Sequence, residues 1–346
     1  SIGVADPSQI LFTGCATESN NTAILGAIRA NPGRRHIITS AVEHPSVLEI
    51  GKDLERQGFE ITYCPVDNNG RIDVRSFIRA LRPDTLMVSI MHANNETGVI
   101  FPIQQLARLT KETDPSILFH TDATQSMGKL DINLDGRFKD VDLLSFSGHK
   151  VHAPKGVGAL YIRKGSRVRP FMLGGHQESG RRGGTENVPY IVGLAKACEI
   201  AVENHEEEVT TVQKLRDRLE KELQERIPYV QVNGQGAARL PNTLNISIHY
   251  IEGEGMLYQL DAHGICASSG SACTSGSLEP SHGVRAMKVP FTAVHGSVRF
   301  SLSRYNSDAD VDKILEVFPG IVENLRRLSP YWDLSKNAPR PDAPTD

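Results

Sequence analysis

Nothing in this sequence is present in marked excess. Of its 346 residues, 38 are Lys or Arg and 41 are Asp or Glu, for a net charge of −3. Without a cationic surplus, the electrostatic footprint of a nucleic-acid binder or of a protein held to an anionic membrane surface is missing. No uninterrupted apolar run reaches the roughly 18 residues that a membrane-spanning helix needs. Cysteine is sparse and scattered: Cys15, Cys64, Cys198, Cys266 and Cys273. This odd set reads neither as a disulfide framework nor as paired C-x-x-C metal knuckles. A reducing, cytoplasmic setting is the expectation. No repeat of fixed period stands out. The opening Ser1-Ile2-Gly3-Val4-Ala5-Asp6 lacks a basic, apolar leader, so no signal peptide is expected.

What is there is ordinary for a globular chain: 39% hydrophobic and 23% charged residues, enough to bury a sizeable core. The length corresponds to roughly two domains. In the first half, short β-branched runs alternate with amphipathic stretches. The runs lie at 9–13, 36–40, 60–65, 85–91, 117–122, 141–147 and 158–163, and the helical patterns at 22–30, 46–57, 76–81 and 103–112. That alternation predicts βαβ units and a mostly parallel sheet covered by helices on both faces. In such sheets ligands gather outside the carboxyl ends of the strands. Further on, 202–226 is a charged helical segment joining two domains, followed by strand-like runs at 229–232, 244–249 and 297–302 and a last helix at 311–325.

The strand ends carry the chemistry. After the first comes Gly14-Cys15-Ala16-Thr17-Glu18-Ser19-Asn20-Asn21, opening a helix. Its backbone amides suit a phosphate, although Thr17 or Ser19 could equally cap the helix. The fifth strand ends in Asp122, costly to bury without a cationic or protonated partner, with a helix cap as the alternative. The sixth runs into Ser147-Gly148-His149-Lys150. A partly desolvated lysine there can form a Schiff base; a solvated lysine is the ordinary alternative. An anion site, a carboxylate and an amine are the groups that pyridoxal phosphate requires.

The other candidates are weaker one by one. Asn94-Asn95-Glu96 follows the fourth strand and either contacts a ring oxygen or makes a turn. His44, after the second strand, suits stacking on a flat cofactor or is a satisfied polar residue. His149 and His152 have metal-like spacing but no further clustered ligands, so no zinc site is expected. Cys273 is the one reactive group in the small-residue run 267–277, a candidate nucleophile or an incidental thiol. Arg299 lies within an apolar strand and calls for an anion, either a substrate carboxylate or a structural partner. The segment 174–185 reads as a glycine-rich hinge or a subunit contact, not as a nucleic-acid tract, because aromatics are not interleaved.

Taken together these residues resemble the cysteine desulfurases, class V, fold type I pyridoxal-phosphate enzymes. The resemblance rests on Ala16-Thr17-Glu18-Ser19-Asn20-Asn21, Glu43-His44, Asn94-Asn95-Glu96, Asp122-Ala123-Thr124-Gln125-Ser126, Ser145-Phe146-Ser147-Gly148-His149-Lys150 and Ser269-Gly270-Ser271-Ala272-Cys273-Thr274-Ser275. His152-Ala153-Pro154-Lys155-Gly156, Gly175-His176-Gln177-Glu178, Gly183-Gly184-Thr185-Glu186-Asn187, Leu278-Glu279-Pro280-Ser281-His282 and Ser329-Pro330-Tyr331-Trp332 resemble the nitrogen-fixation type, NifS. The strings run in order from about Gln9 to Trp332, which makes them far more specific than any single motif.

The resemblance implies a role for each residue. Lys150 holds the cofactor, Asp122 pairs with its ring nitrogen, and Gln125 and Asn95 contact the ring-oxygen side. His44 stacks on the ring and belongs to the catalytic set. Ala16, Thr17, Ser147, Gly148 and His149 hold the phosphate. Thr185 reaches the cofactor phosphate of a second subunit, which implies a homodimer. Arg299, with Asn95, binds the substrate L-cysteine. Cys273 takes its sulfur as a persulfide and releases alanine.

The implied architecture is an α/β fold with a large cofactor domain at 1–205. A smaller α+β domain carrying the Cys273 loop is expected at 206–334, and a disordered tail at 335–346. The implied acceptor is an iron–sulfur scaffold, with nitrogenase as the expected destination. No metal site of its own is expected, beyond transient ligation by Cys273 of a cluster shared with that scaffold. The family has roughly fifty further residues ahead of this start, whose loss would expose the cofactor crevice and weaken folding or dimerisation. Selenocysteine lysis, transamination, and an inactive truncated partner of a sulfur scaffold are the rival readings.

Overall fold

The computed structural model describes residues 1–269 and 280–344. It divides into two compact units. The first comprises Ser1–Val66, Ile72–Asn95 and Ile100–His205; the second comprises Asp67–Arg71, Glu96–Val99 and Glu206–Asp346.

The first unit is built on a seven-stranded sheet: β1 (Ile10–Thr13), β2 (His36–Ser40), β3 (Glu60–Cys64), β4 (Thr85–Ser89), β5 (Leu118–Asp122), β6 (Leu143–Ser147) and β7 (Gly158–Ile162). Their order is β1-β7-β6-β5-β4-β2-β3. The pairs β2–β3, β2–β4, β4–β5 and β5–β6 are parallel, as expected. β7 runs antiparallel to both β6 and β1. The carboxyl ends of β1, β2, β4, β5 and β6 therefore share one edge, and the amino end of β7 joins them there. Every residue of β2, β4, β5 and β6 is buried. A strand buried on both faces needs helices above and below it.

Helix α1 (Ala16–Ala30) packs against β4, β5, β6 and β7. It begins earlier than its apolar periodicity suggests, because Ser19, Asn20 and Thr22 are buried polar residues. Helix α2 (Pro45–Arg56) starts with proline, whose fixed φ suits that position. The His44 side chain caps α2 by accepting from the Ser46 amide. A helix not evident in the sequence, Val188–Glu203, closes this unit.

The second unit has a four-stranded antiparallel sheet in the order β10-β11-β9-β8. Its strands are β8 (Val230–Val232), β9 (Thr243–Ile248), β10 (Ser268–Ser269) and β11 (Ser297–Ser301). Val212, Leu215, Leu219 and Leu223 from the helix His205–Arg226 join Val311, Ile314, Phe318 and Val322 from the helix Asp308–Leu328 in one buried cluster with this sheet. Burying such side chains contributes about 1.5–3 kcal/mol each.

The tail expected to be disordered is structured as far as Pro344. Its strand β13 (Ala338–Pro339) pairs with β12 (Trp332–Asp333). The reason is local: the Arg340 amide donates to the Tyr331 carbonyl, its Nε donates to the Trp332 carbonyl, and the Arg326 guanidinium stacks on the buried Trp332 ring.

Candidate active site

The site of the first unit grows from the shared sheet edge. β5 reads Leu-Phe-His-Thr-Asp, so His120 and Asp122 fall on one face. His120 is wholly buried between its neighbours: the Ser89 hydroxyl of β4 lies 2.8 Å from Nδ1 and the Ser145 hydroxyl of β6 2.9 Å from Nε2. Burial pulls its pKa down to about 4, so the ring is neutral at pH 7. It ties three strands together below the carboxylate.

Asp122, 6% exposed, is held at both oxygens. Oδ2 accepts from Asn20 Nδ2 at 2.8 Å, and Oδ1 accepts from the Thr124 amide at 2.9 Å. Asn20 also donates to Ser46 Oγ at 2.9 Å, and Ser46 Oγ lies 2.8 Å from His44 Nδ1. A continuous hydrogen-bonded chain thus joins the acid of β5 to the histidine after β2. Asn20, Ser46 and Thr124 are missed by reasoning from sequence alone. Asn20 and Thr124 lie inside the motif strings without a role of their own, and Ser46 lies in none, since polar residues on a helix's first turns read as solvated.

Glu43, next to His44, is fully enclosed. Burial pushes its pKa up to about 8, and the charge of Asp122 adds to this. Ser40 Oγ lies 2.5 Å from Oε1, and the Met91 amide donates to Oε1 at 3.0 Å and to Oε2 at 3.1 Å. Asn94 donates to the Val42 carbonyl at 3.0 Å. These bonds stitch the turn after β2 to the one after β4.

The helix-cap alternative finds no side-chain bond at Cys15, the N-cap of α1. The Ser19 hydroxyl turns instead to Thr13 Oγ1 at 2.8 Å, and Thr17 is exposed. The first-turn amides are thus left without a side-chain cap, at the positive end of the helix dipole. Gly158 brings β7 up against this turn: a Cβ there would meet Phe146 O at 2.8 Å and Cys15 C at 2.9 Å.

Lys150 sits in the 3-10 turn Gly148–Val151 that leaves β6 and is half-buried. Its carbonyl accepts from Lys129 Nζ at 3.2 Å. Ser147 Oγ is 2.9 Å from His149 Nδ1, and burial, then the charges of Lys150 and Lys155, lower the His149 pKa. Gly148 is closely packed: a Cβ there would stand 3.0 Å from Val157 O, tighter than an ordinary contact. Gln125 and Asn95 are half-buried beyond β5 and β4.

Ala16, Thr17, His44, Asn95, Asp122, Gln125, Ser147, Gly148, His149 and Lys150 all end or follow strands that finish on the one edge. Thr185 is exposed, beyond Gly184. Arg299 lies on β11 in the second unit, with Nη2 3.2 Å from Ser268 Oγ. Buried Glu96 of that unit has its pKa raised by burial; the Ser281 hydroxyl donates to it, and the charges of His282 and Arg299 act on it. Cys273 lies outside the described residues.

The donor set fits pyridoxal phosphate. A helix N-terminus without a side-chain cap matches the phosphate, a held carboxylate matches a protonated ring nitrogen, and a turn-borne lysine matches the aldehyde. Thr124 Oγ1 is buried without a partner among the described residues, which is characteristic of a site built for a further polar group. Among the described residues, no group of three or more His, Cys, Asp or Glu side chains is placed to hold a metal ion. No helix among them is long and apolar enough to cross a membrane.

Comparison with known proteins agrees with this chemistry. The aminotransferase class-V family model matches residues 1–314. A cysteine desulfurase of Nostoc sp. is 53% identical over 327 residues, covering 94% of this chain and 81% of the relative. The cysteine desulfurase NifS of Azotobacter vinelandii is 51% identical over 341 residues, covering 99% and 83%. A solved NifS-like protein superposes with a TM-score of 0.86 at 39% identity, over 93% of this chain and 84% of that one. This chain belongs to the pyridoxal-phosphate-dependent cysteine desulfurases of aminotransferase class V.

Proposed function

We propose that the chain removes sulfur from L-cysteine, leaving alanine and a persulfide on Cys273, and passes the sulfur to an iron–sulfur scaffold. The carrying observation is the convergence, on one sheet edge, of an α1 N-terminus without a side-chain cap, the doubly held Asp122 and the Lys150 turn. The N-terminus of α1, with Ala16, Thr17, Ser147, Gly148 and His149, takes the cofactor phosphate. Asp122 faces the ring nitrogen, His44 the ring, and Gln125 and Asn95 its oxygen side. When bound, pyridoxal phosphate supplies an electron sink for negative charge at the substrate α-carbon.

Lys150 holds the cofactor at rest and moves the α-proton during turnover. Arg299 grips the substrate carboxylate through a bidentate contact. The Cys273 thiolate attacks the substrate sulfur. An S–S bond forms, the C–S bond breaks, and its electron pair stays on the carbon that becomes the methyl group of alanine.

The small residues around Cys273 suit a thiol that must meet first substrate and then acceptor. Thr185, exposed on this chain, completes the phosphate site of a second copy, so the working unit is a homodimer. The boundary of the cofactor domain is placed at 205, with the small catalytic-cysteine domain after it. The similarity to NifS supports nitrogenase maturation as the destination. All four cysteines among the described residues are free thiols, in keeping with a reducing cytoplasm.

The test is a product assay with L-cysteine. With an excess of a dithiol reductant to release the persulfide sulfur, alanine and sulfide in equal amounts are expected, and Cys273→Ala should bind cofactor yet release no sulfide. A keto acid as product, or undiminished sulfide from Cys273→Ala, overturns the reading.

A further inference from the structure

The chain Asp122–Asn20–Ser46–His44 has a direction. An amide nitrogen carries two hydrogens and accepts none, so both contacts of Asn20 Nδ2 are donations: to Asp122 Oδ2 at 2.8 Å and to Ser46 Oγ at 2.9 Å. The reversed amide would set Oδ1 against a carboxylate oxygen, acceptor against acceptor. The observed orientation leaves Oδ1 buried without a partner among the described residues, so the carboxylate decides it. With its oxygen receiving from Asn20, the Ser46 hydroxyl has its own hydrogen for His44 Nδ1, 2.8 Å away. The Ser46 amide also donates to Nδ1, at 3.1 Å. A ring nitrogen that receives two donors carries no hydrogen of its own.

We propose that Asn20 is a positioning residue that fixes the tautomer of His44 together with the Ser46 amide: by donating both ways, it biases the Ser46 hydroxyl hydrogen toward Nδ1, which the amide already faces, and so holds the ring proton on Nε2. The charge of Asp122 thereby bears on which edge of the stacking histidine is a donor, relayed through the Asn20 and Ser46 side chains. The inference deepens the proposed function and rests on its reading of Asp122 and His44.

The experiment is 15N NMR of the histidine-labelled protein without cofactor, with His44→Gln identifying the His44 signals. Wild type is expected to show an unprotonated Nδ1 and a protonated Nε2. In Asn20→Asp the new carboxylate draws the Ser46 hydrogen toward itself, and the Nδ1–H form should become a measurable fraction. Asn20→Ala, which leaves Ser46 to turn either way, should give a mixture. Ser46→Thr, which keeps the hydroxyl, should retain the wild-type pattern. A proton on Nδ1 in wild type overturns the proposal whatever the variants do, as does the wild-type pattern in both Asn20 variants. Pyridoxal phosphate titration of the Asn20 variants should show about tenfold weaker binding, about one power of ten in the equilibrium constant for a lost charge-assisted hydrogen bond. An Asp122→Ala protein that binds cofactor with unchanged affinity and spectrum would instead sink the reading of the site and leave the tautomer result standing.

Discussion

Arg182 and Glu18 form an ion pair with an Nε–Oε1 distance of 2.8 Å, although 164 positions separate them. Glu18 also accepts from the Gly14 amide at 2.8 Å. Nearby, Arg181 donates to the Ser8 carbonyl at 2.7 Å and the Ile10 carbonyl at 2.8 Å, and the Phe12 amide donates to Glu178 at 3.2 Å. The glycine-rich segment is thereby tied to β1 and to the turn that opens the proposed phosphate cradle.

Replacing Arg182 by alanine leaves Glu18 without its cation in a largely enclosed place. The variant is expected to lose about 2 kcal/mol, between the values typical of exposed and buried pairs. It should also be cut faster by protease within 174–185. A urea midpoint and a cleavage pattern like the parent's would show that the pair anchors nothing.

Gly158 is the point where β7 packs against Cys15, the N-cap of α1 and of the proposed cradle. A methyl group there meets the backbone of Phe146 and Cys15, which cannot step aside as a side-chain end can. Gly158→Ala should cost about 1–3 kcal/mol by overpacking and should weaken cofactor binding by displacing the N-cap of α1. Calorimetry and a pyridoxal phosphate titration measure the two effects. Weakened stability with unchanged cofactor affinity would separate Gly158 from the site.

These features differ in how plainly the sequence displays them. β5 and β6 could be read because Ile117-Leu118-Phe119 and Leu143-Leu144 open short apolar stretches that give way to polar residues, which placed Asp122 at the end of one strand and Lys150 just beyond the other. The start of α1 could not: Ser19, Asn20 and Thr22 face protein, but their composition is that of a solvated turn. The reversal of β7 has no signature in composition, because direction is set by pairing and not by residue type. Helix Val188–Glu203 was hidden for the opposite reason: Val188, Tyr190 and Val192 are exposed on it, which blurs the apolar stripe. The order of the tail comes from single contacts of Arg326 and Arg340 with Trp332.

Glu43 makes stability depend on pH. Its pKa is about 8 when folded against an ordinary 4.5, so the contribution of the neutral carboxyl is full below pH 4.5 and is lost as pH rises through 8. The loss is on the order of 3 kcal/mol between pH 4.5 and 7. Glu43→Gln keeps the shape without the titration. The difference in unfolding free energy between wild type and variant should therefore fall steadily over that range. A difference that stays flat with pH would mean that Glu43 is ionised in the folded protein.

The most direct measurement for the whole mechanism is to load the protein with pyridoxal phosphate, reduce it with borohydride and map the labelled peptide. The label is expected on Lys150, and Lys150→Ala should stay colourless and unlabelled. A label on any other lysine, or a Lys150→Ala protein that keeps the visible absorption, contradicts the assignment of the amine and with it the site at the end of β6.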